Sequence, residues 1–427
     1  MAGRVLGRQV GVCLGVAAVV LAGPAHAGGV FFYEVGTPDV GYASAGSAAR
    51  ADGPSTLLTN PAGMTRLEGI QVQVGAQATE GLFTFAPNSK TNVDGNAGGN
   101  AVGFSPNASA FATFAPWNDF RVGFGVVSNF GLSENWQSGW VGRYYATQSS
   151  LLGLSILPSV AWHIGGGLSV GVAFNAMYGV LKQTAAVRNT EANSADGTLG
   201  VESNTWGFGG NVGLLYEFSK GSRVGLSYTS PVNLSFSSTP HFTGLGPGLT
   251  AALQASHLDT TSIDLGMTVP QTVMLSLFQA VSGQWAVMAD VGWQNWATFS
   301  TVEVQVTSAN PASLTTNVGY SNTWHGALGG QVQLSEPWQL DFGIAYDSRM
   351  TTPSNRSLAL ALGDAWRFGL GARWAANNNW TFGLSYEALY GGSPGVDLDR
   401  GSLAGRVAGS YAKTWFEFLA FNLTWKS

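Results

Sequence analysis

The stretch Ile70-Gln71-Val72-Gln73-Val74-Gly75-Ala76-Gln77-Ala78-Thr79 alternates apolar and polar or small residues without a break. Successive side chains of an extended chain point to opposite faces, so one face carries Ile, Val, Val, Ala and Ala while the other carries Gln, Gln, Gly, Gln and Thr. Helical spacing would scatter both sets around a cylinder. The segment reads as a β-strand, and its period of two recurs down the chain. Trp206, Phe208, Val212, Leu214, Tyr216 and Phe218 stand against Gly207, Gly209, Asn211 and Gly213; Trp338, Leu340, Phe342, Ile344 and Tyr346 form another such face. So do Trp366, Phe368, Leu370 and Trp374, and then Trp380, Phe382, Leu384 and Tyr386.

A soluble sandwich also alternates, and the position of the aromatics separates the two architectures. Trp338 and Tyr346 lie eight residues apart on the apolar face, as do Trp366 and Trp374, and Trp285 and Trp293. At ~3.3 Å per residue and a tilt near 40°, that interval spans roughly 20 Å along the membrane normal, which suits two aromatic belts bounding a bilayer. About fourteen such segments run from 70–79 to 413–425, one of them 222–236. Their connections alternate between tight turns, such as Gly165 to Gly167 and Ser219 to Gly221, and stretches of roughly 16 to 32 residues. Short periplasmic turns and long outer loops are the asymmetry of an outer-membrane barrel. The expected fold is all-β: a transmembrane antiparallel β-barrel of about 14 strands over 70–427, with both termini in the periplasm.

Composition agrees. Of 427 residues 45% are hydrophobic but only 10% charged, well under the ~25% of soluble domains. No apolar run reaches the roughly 18 residues of a membrane helix. Arg4 and Arg8, the apolar stretch from Val10 to Ala22, and Ala25-His26-Ala27 form a signal peptide over 1–27, which also holds the single cysteine, Cys13. The net charge of −5 becomes more negative without those two arginines, so nucleic acid is not an expected partner. Residues 28–69 fit no barrel strand and have the length of a plug, an N-terminal hatch inside the barrel.

Chemistry-bearing residues are sparse. His163, His241, His257 and His325 show no metal-ligand spacing, no thiol remains to join them, and no G-x-S-x-G elbow occurs; no metal or cofactor is expected. His163 and His325 face away from the aromatics, which keeps a barrel-wall Ser/His hydrolase as a distant alternative. Gly207, Gly209, Gly210 and Gly213 look like a phosphate loop but are followed by a strand, so they read as small inward groups that leave room in the lumen. The inward face is mostly Gly, Ser, Thr, Asn and Gln, without the charged rings of an ion-selective pore. Apolar cargo is favoured, with a general diffusion porin as the second reading. Two long loops carry Trp136, Trp140, Tyr144 and Tyr145, and Leu245, Leu249 and Leu253 in a short helix near 244–257. They read either as an outer groove for a greasy ligand or as loops packed on each other.

With these residues in view, the chain resembles the FadL-type outer-membrane transporters of long-chain fatty acids and aromatic hydrocarbons. Gly41-Tyr42-Ala43-Ser44-Ala45-Gly46 and Asn60-Pro61-Ala62-Gly63-Met64 are similar to that family's hatch and its Asn-Pro-Ala motif. Ser128-Asn129-Phe130-Gly131-Leu132 is similar to the end of its kinked third strand, and Gly343-Ile344-Ala345-Tyr346-Asp347 and Asn355-Arg356-Ser357 add to the match. The resemblance implies passive uptake of hydrophobic small molecules across the outer membrane, with a gate of Asn60, Pro61, Ala62, Ser128, Asn129 and Gly131 and a lateral exit at the third strand. It implies no cofactor, and a barrel, expected as a monomer, surrounded by outer-membrane lipid and lipopolysaccharide. Two features depart from the pattern. Trp425 is followed by Lys426-Ser427 rather than ending the chain, and Ala185 stands where fatty-acid members place a basic group, leaving Lys182 and Arg188 as candidate carboxylate contacts.

Overall fold

The computed structural model describes residues 35–189, 194–255, 257, 259–307, 312–358 and 363–427. The expected leader and the first residues of the 28–69 segment lie outside them. Fourteen antiparallel strands close into a barrel: β1 (Ile70–Pro87), β2 (Gly103–Trp117), β3 (Phe120–Asn135), β4 (Gln148–Gly165), β5 (Leu168–Val187), β6 (Gly197–Ser219), β7 (Ser222–Thr229), β8 (Thr272–Ala280), β9 (Trp285–Gln294), β10 (Thr323–Ser335), β11 (Trp338–Asp347), β12 (Ala365–Ala375), β13 (Trp380–Tyr390) and β14 (Arg406–Lys426). Each pairs with its neighbour in sequence, and the seam is made by β14 on β1, from Gln71 opposite Lys426 to Pro87 opposite Gly409.

The outward face is the apolar one that alternation marked: Val74, Leu214, Phe342 and Leu370 are exposed. Cross-strand contacts assemble the aromatics into two belts. On the turn side Trp338 stacks on Trp374 with centroids 6.0 Å apart, and Trp380 meets Trp425 at 6.5 Å. On the loop side Tyr178 meets Trp206 at 5.1 Å, Tyr346 meets Trp366 at 5.1 Å and Tyr390 meets Trp415 at 4.7 Å.

The strands differ from expectation in two ways. β7 stops at Thr229, because Ser230-Pro231 interrupts the 222–236 segment and proline offers no N–H to a ladder. Val232–Ser238 instead joins Ser262–Val269, Thr301–Thr307 and Ala312–Asn317 in a separate four-stranded sheet. Several strands also run further on the loop side than alternation against lipid reveals, since beyond the belt an outward residue can be polar, as Lys182 on β5 is.

Two register shifts reset which residues face inward. Between β3 and β4 the pairs Val127–Ser155 and Phe130–Gly153 enclose one extra residue on β3. Between β1 and β14 the pairs Phe83–Thr414 and Phe85–Tyr411 enclose one extra on β14. Each inserted residue reverses the in-out assignment of everything beyond it. The interior has two layers: a small-residue and charged layer toward the turns, and toward the loops a largely apolar layer with one charged group of His325, Asp347, Arg367 and Glu387 in the wall beneath it.

Candidate functional site

The turn-side layer holds residues 35–67, buried almost throughout and built of short turns: Pro38–Tyr42, Thr56–Thr59 and Pro61–Arg66. Asn60 is extended, as a residue before proline prefers, and Pro61 opens the last turn with its φ preset. The Asn60 side chain accepts from the Ala62 N–H at 3.0 Å and donates to the Ala48 carbonyl at 2.6 Å and to the Leu214 carbonyl of β6 at 2.9 Å. One amide thus caps a turn, ties two hatch segments and fastens both to the wall.

The inward glycines seat this backbone, which corrects the expectation that they leave lumen space. A Cβ on Gly213 would come within 1.8 Å of the Asn60 Oδ1, one on Gly225 within 1.8 Å of the Ala48 carbonyl oxygen, and one on Gly343 within 1.8 Å of that of Tyr42. Gly207 and Gly209 lie instead against Val232 and its neighbours in the loop strand. A glycine in a pattern says only that something comes close.

The inward face is also more charged than expected. Tyr42 donates to Asp341 at 2.8 Å and receives from Arg373, which pairs with Asp341 at 3.0 Å and with Asp52 of the hatch at 2.7 Å. Arg50 pairs with Asp39 and Asp52. Asp290 of β9 accepts the backbone N–H groups of Gly46 and Ser47 at 2.8 and 3.2 Å, and Arg223 donates to the carbonyls of Ala49 and Arg50. Arg50, Asp52, Arg223, Asp290, Asp341 and Arg373 thus tie residues 35–67 to the wall. Their inward parity was legible in the strands, but not their partners. Below the hatch a polar vestibule of about 620 Å³ opens between Arg66, Gln73, Arg223, Gln339 and Arg373.

At the third strand the wall parts. β2 and β3 pair only up to Ser109 opposite Val127; above that level β2 holds β1 alone and β3 holds β4 alone. Pro106 on β2 supplies no N–H there. The β3 bulge occupies Ser128 and Asn129, with the Ser128 hydroxyl given to the Gly153 carbonyl at 3.3 Å and Asn129 Oδ1 accepting from Ser155 at 3.3 Å. Gly131 follows with φ +141°, a conformation side chains rarely adopt, and a Cβ there would approach the Leu151 carbonyl oxygen to 2.3 Å. A cavity of about 310 Å³ lies in the breach, bordered by Phe104, Phe130, Gly131, Leu152 and Phe416.

The loop-side layer is the largest apolar cluster. Trp136 and Trp140 stack with centroids 4.0 Å apart, Trp140 meets Phe85 edge-on at 6.4 Å, and Trp136 lies 6.3 Å from Tyr411. Tyr144 gives its hydroxyl to Asp196 at 2.8 Å, and Tyr145 gives its own to the Gly405 carbonyl at 2.6 Å. All four aromatics are buried. Leu253 is buried on the helix Pro247–Ala255, while Leu249 and, just before the helix, Leu245 are half-buried against the same cluster. The packing therefore brings the seven loop residues into one cap over the barrel mouth.

The two candidate cations stand apart from the lumen. Lys182 shares the outward face of β5 with Val172 and Phe174 and pairs loosely with Glu202 of β6 at 3.9 Å, which removes it as a lumen contact. Inward Ala185 is buried beside it. Arg188, exposed at the rim, stacks over the Tyr144 ring at 4.7 Å. His163 Nδ1 lies 3.1 Å from Ser169, whose hydroxyl already takes a hydrogen bond from Thr65, and His325 pairs with Asp347 at 2.7 Å.

A barrel whose turn-side lumen holds residues 35–67 and whose wall is breached at the third strand can be set beside known proteins. The profile of a family described as outer membrane protein transport protein (OMPP1/FadL/TodX) matches residues 18–410. The chain belongs to this family. As an OMPP1/FadL/TodX member it is an outer-membrane transport protein and not an enzyme. It is 24% identical to the long-chain fatty acid transport protein of Escherichia coli (strain K12), covering 96% of this chain and 97% of that one. It is 26% identical to outer membrane protein P1 of Haemophilus influenzae, covering 88% of this chain and 89% of that one. In fold it is similar to a FadL homologue of Pseudomonas aeruginosa, with a TM-score of 0.83 at 18% identity over 92% of this chain and 98% of that one. It is similar also to the Pseudomonas putida toluene transporter TodX, at 0.67 and 12% over 93% and 99%.

Proposed function

We propose that the protein carries hydrophobic small molecules, of the class of long-chain fatty acids or aromatic and alkyl hydrocarbons, passively through the outer membrane and releases them sideways into the bilayer. The observation that supports this most is the breach between β2 and β3 above Ser109 and Val127, where Val102, Phe104, Phe130, Leu152 and Phe416 stand among small polar side chains, while the barrel axis is filled. An apolar solute gains nothing from a watery axial pore and much from a route that stays among apolar groups. Cargo enters at the aromatic cap, moves to the breach and leaves between the two strands. The hatch, residues 28–69 with Asn60-Pro61-Ala62 as its fastening, gates the axis, and Ser128, Asn129 and Gly131 hold the breach open. The fourteen strands close on themselves through the β1–β14 seam, open only at the breach, which supports a single barrel as the working unit, with lipopolysaccharide packed around its outer leaflet.

Uptake of labelled hydrocarbon by cells expressing the protein tests the route. Gly131→Val should reduce it several-fold at unchanged surface abundance, because a branched side chain cannot keep the +141° backbone and the breach must reshape. Unchanged uptake would move the exit elsewhere. Large steady ion currents through the purified protein in planar bilayers would favour a general porin instead.

A further inference from the structure

Above its bulge β3 turns Phe130, Glu134 and, just past the strand, Trp136 inward. Glu134 is 1% exposed. Both of its carboxyl oxygens and the Trp136 indole nitrogen are buried, and among the described residues the indole N–H is the one polar side-chain group that faces the acid. Across from them on β14 is Tyr411, whose hydroxyl is already given to the Leu358 carbonyl, and no described cation is paired with the acid. Leu154 opposes Tyr178 of the outer belt and Ser149 opposes Glu134, so the acid lies about 16 Å further along the sheet, outside the membrane-spanning part. Buried polar groups are ordinarily satisfied, and a bare carboxylate in apolar surroundings is among the costliest exceptions. Burial accordingly pushes the Glu134 carboxyl up to about 8, with the neighbouring indole N–H drawing it the other way.

We propose that Glu134 and the Trp136 N–H form the head-group contact for cargo in the cap, and that this pair selects neutral hydroxyl-bearing lipophiles, long-chain alcohols or phenols, over carboxylates. The inference rests on the transport reading above and narrows its substrate class. A protonated carboxyl offers one donor and one acceptor, and the indole a second donor. A hydroxyl group can accept from the acid's O–H and donate to the carboxyl lone pair that the indole leaves over. A carboxylate head could accept the acid's proton as a hydrogen bond, but it would carry a full charge into an apolar cap where no described cation pairs with it, at a desolvation cost that a neutral hydroxyl escapes. The tail has a place to go: Phe130 and Phe416 border the breach cavity, Phe416 packs on Phe83 at 4.8 Å, and Phe83 reaches Tyr411 at 6.4 Å. Head-group site and breach are thus separated by one aromatic layer.

The test is equilibrium binding of 1-dodecanol, dodecane and dodecanoate to the full barrel in lipid nanodiscs, with empty nanodiscs subtracting partition into lipid. At pH 7 dodecanol should bind about tenfold more tightly than either of the others, the effect of one or two buried hydrogen bonds. Glu134→Leu should erase the preference over dodecane while leaving dodecane itself bound. Glu134→Gln, which keeps a donor and an acceptor, should retain the preference. Heat-modified gel mobility checks that each variant is folded. Dodecanoate binding as well as dodecanol at pH 7, or an unchanged preference in Glu134→Leu, overturns the head-group assignment alone. If none of the three binds above the empty discs, the transport reading falls with it.

Discussion

The two halves of the lumen are built on opposite principles. Toward the periplasm the wall presents glycine and charge, and residues 35–67 are held by hydrogen bonds and ion pairs beside a polar vestibule. Toward the exterior the loops close over aromatic and aliphatic side chains as a core would, and the wall there carries one largely buried charged group of His325, Asp347, Arg367 and Glu387. Polar fastenings exchange for water with small net change in free energy, whereas an apolar cluster opens only by exposing area. The hatch side is the half suited to move, and the cap the half suited to hold something greasy.

The strongest way to break this contrast is to force the hatch from its seat. Gly343→Val would drive a side chain into the Tyr42 carbonyl, and planar bilayers should pass from nearly silent to at least roughly tenfold higher conductance, by the steric exclusion that close packing imposes. Gly326→Val is the control, because nothing stands within 4 Å of a Cβ there. Silent bilayers for both would mean the axis is not closed by the hatch backbone.

Next in size is the cap. Trp140→Ala removes the stack on Trp136 and the edge contact with Phe85, and truncation of a buried tryptophan costs about 3–5 kcal/mol. Protease nicking of the 136–147 loop on intact cells should rise sharply while conductance stays low. A conductance increase instead would show that cap and hatch are one cooperative unit.

A smaller effect separates the halves by pH. With its carboxyl at about 8 when folded and near 4.3 when unfolded, Glu134 keeps a proton in the native cap that the unfolded chain releases, so the cap is most stable below the unfolded value and weakens as pH rises toward 8. Hydrogen-exchange protection in β3 and β14, taken relative to the intrinsic base-catalysed rate at each pH, should fall between pH 5 and pH 8.5, and Glu134→Gln should flatten that change. The smallest effect is expected at Lys182: on the outward face and 45% exposed, its replacement by alanine should alter stability by no more than about 0.5 kcal/mol and leave binding of neutral or anionic cargo unchanged.

How far the chain could be read without coordinates follows the same division. Alternation and turn chemistry located the strands at 338–348 and 365–375 to within a residue or so, because lipid imposes a rule on every second side chain. The lumen obeys no such rule. Gly213 and Gly343 carry no mark of what fills the space above them, and nothing in 222–236 except Pro231 announces that the strand leaves the wall. Glu134 shares the even parity of lipid-facing Val122 and Phe124 and becomes an inward residue only because one extra residue at the bulge reverses the alternation. A one-residue event in the backbone decides which side of the wall an acid occupies, and sequence pattern sees it only as a lapse in alternation.

The seam between β1 and β14 bears on how such a barrel comes to exist. Every other strand meets a partner next to it along the chain, whereas the bond from the Ile70 N–H to the Ser427 hydroxyl joins positions 357 apart. Contacts of that range carry the largest loop-closure entropy and form last. The hatch touches β1 through Gly36 and Gln77, β6 through Asn60, and β11 and β12 through Tyr42. It can therefore serve as a mandrel, gathering distant parts of the unfinished sheet to the curvature at which its two edges meet.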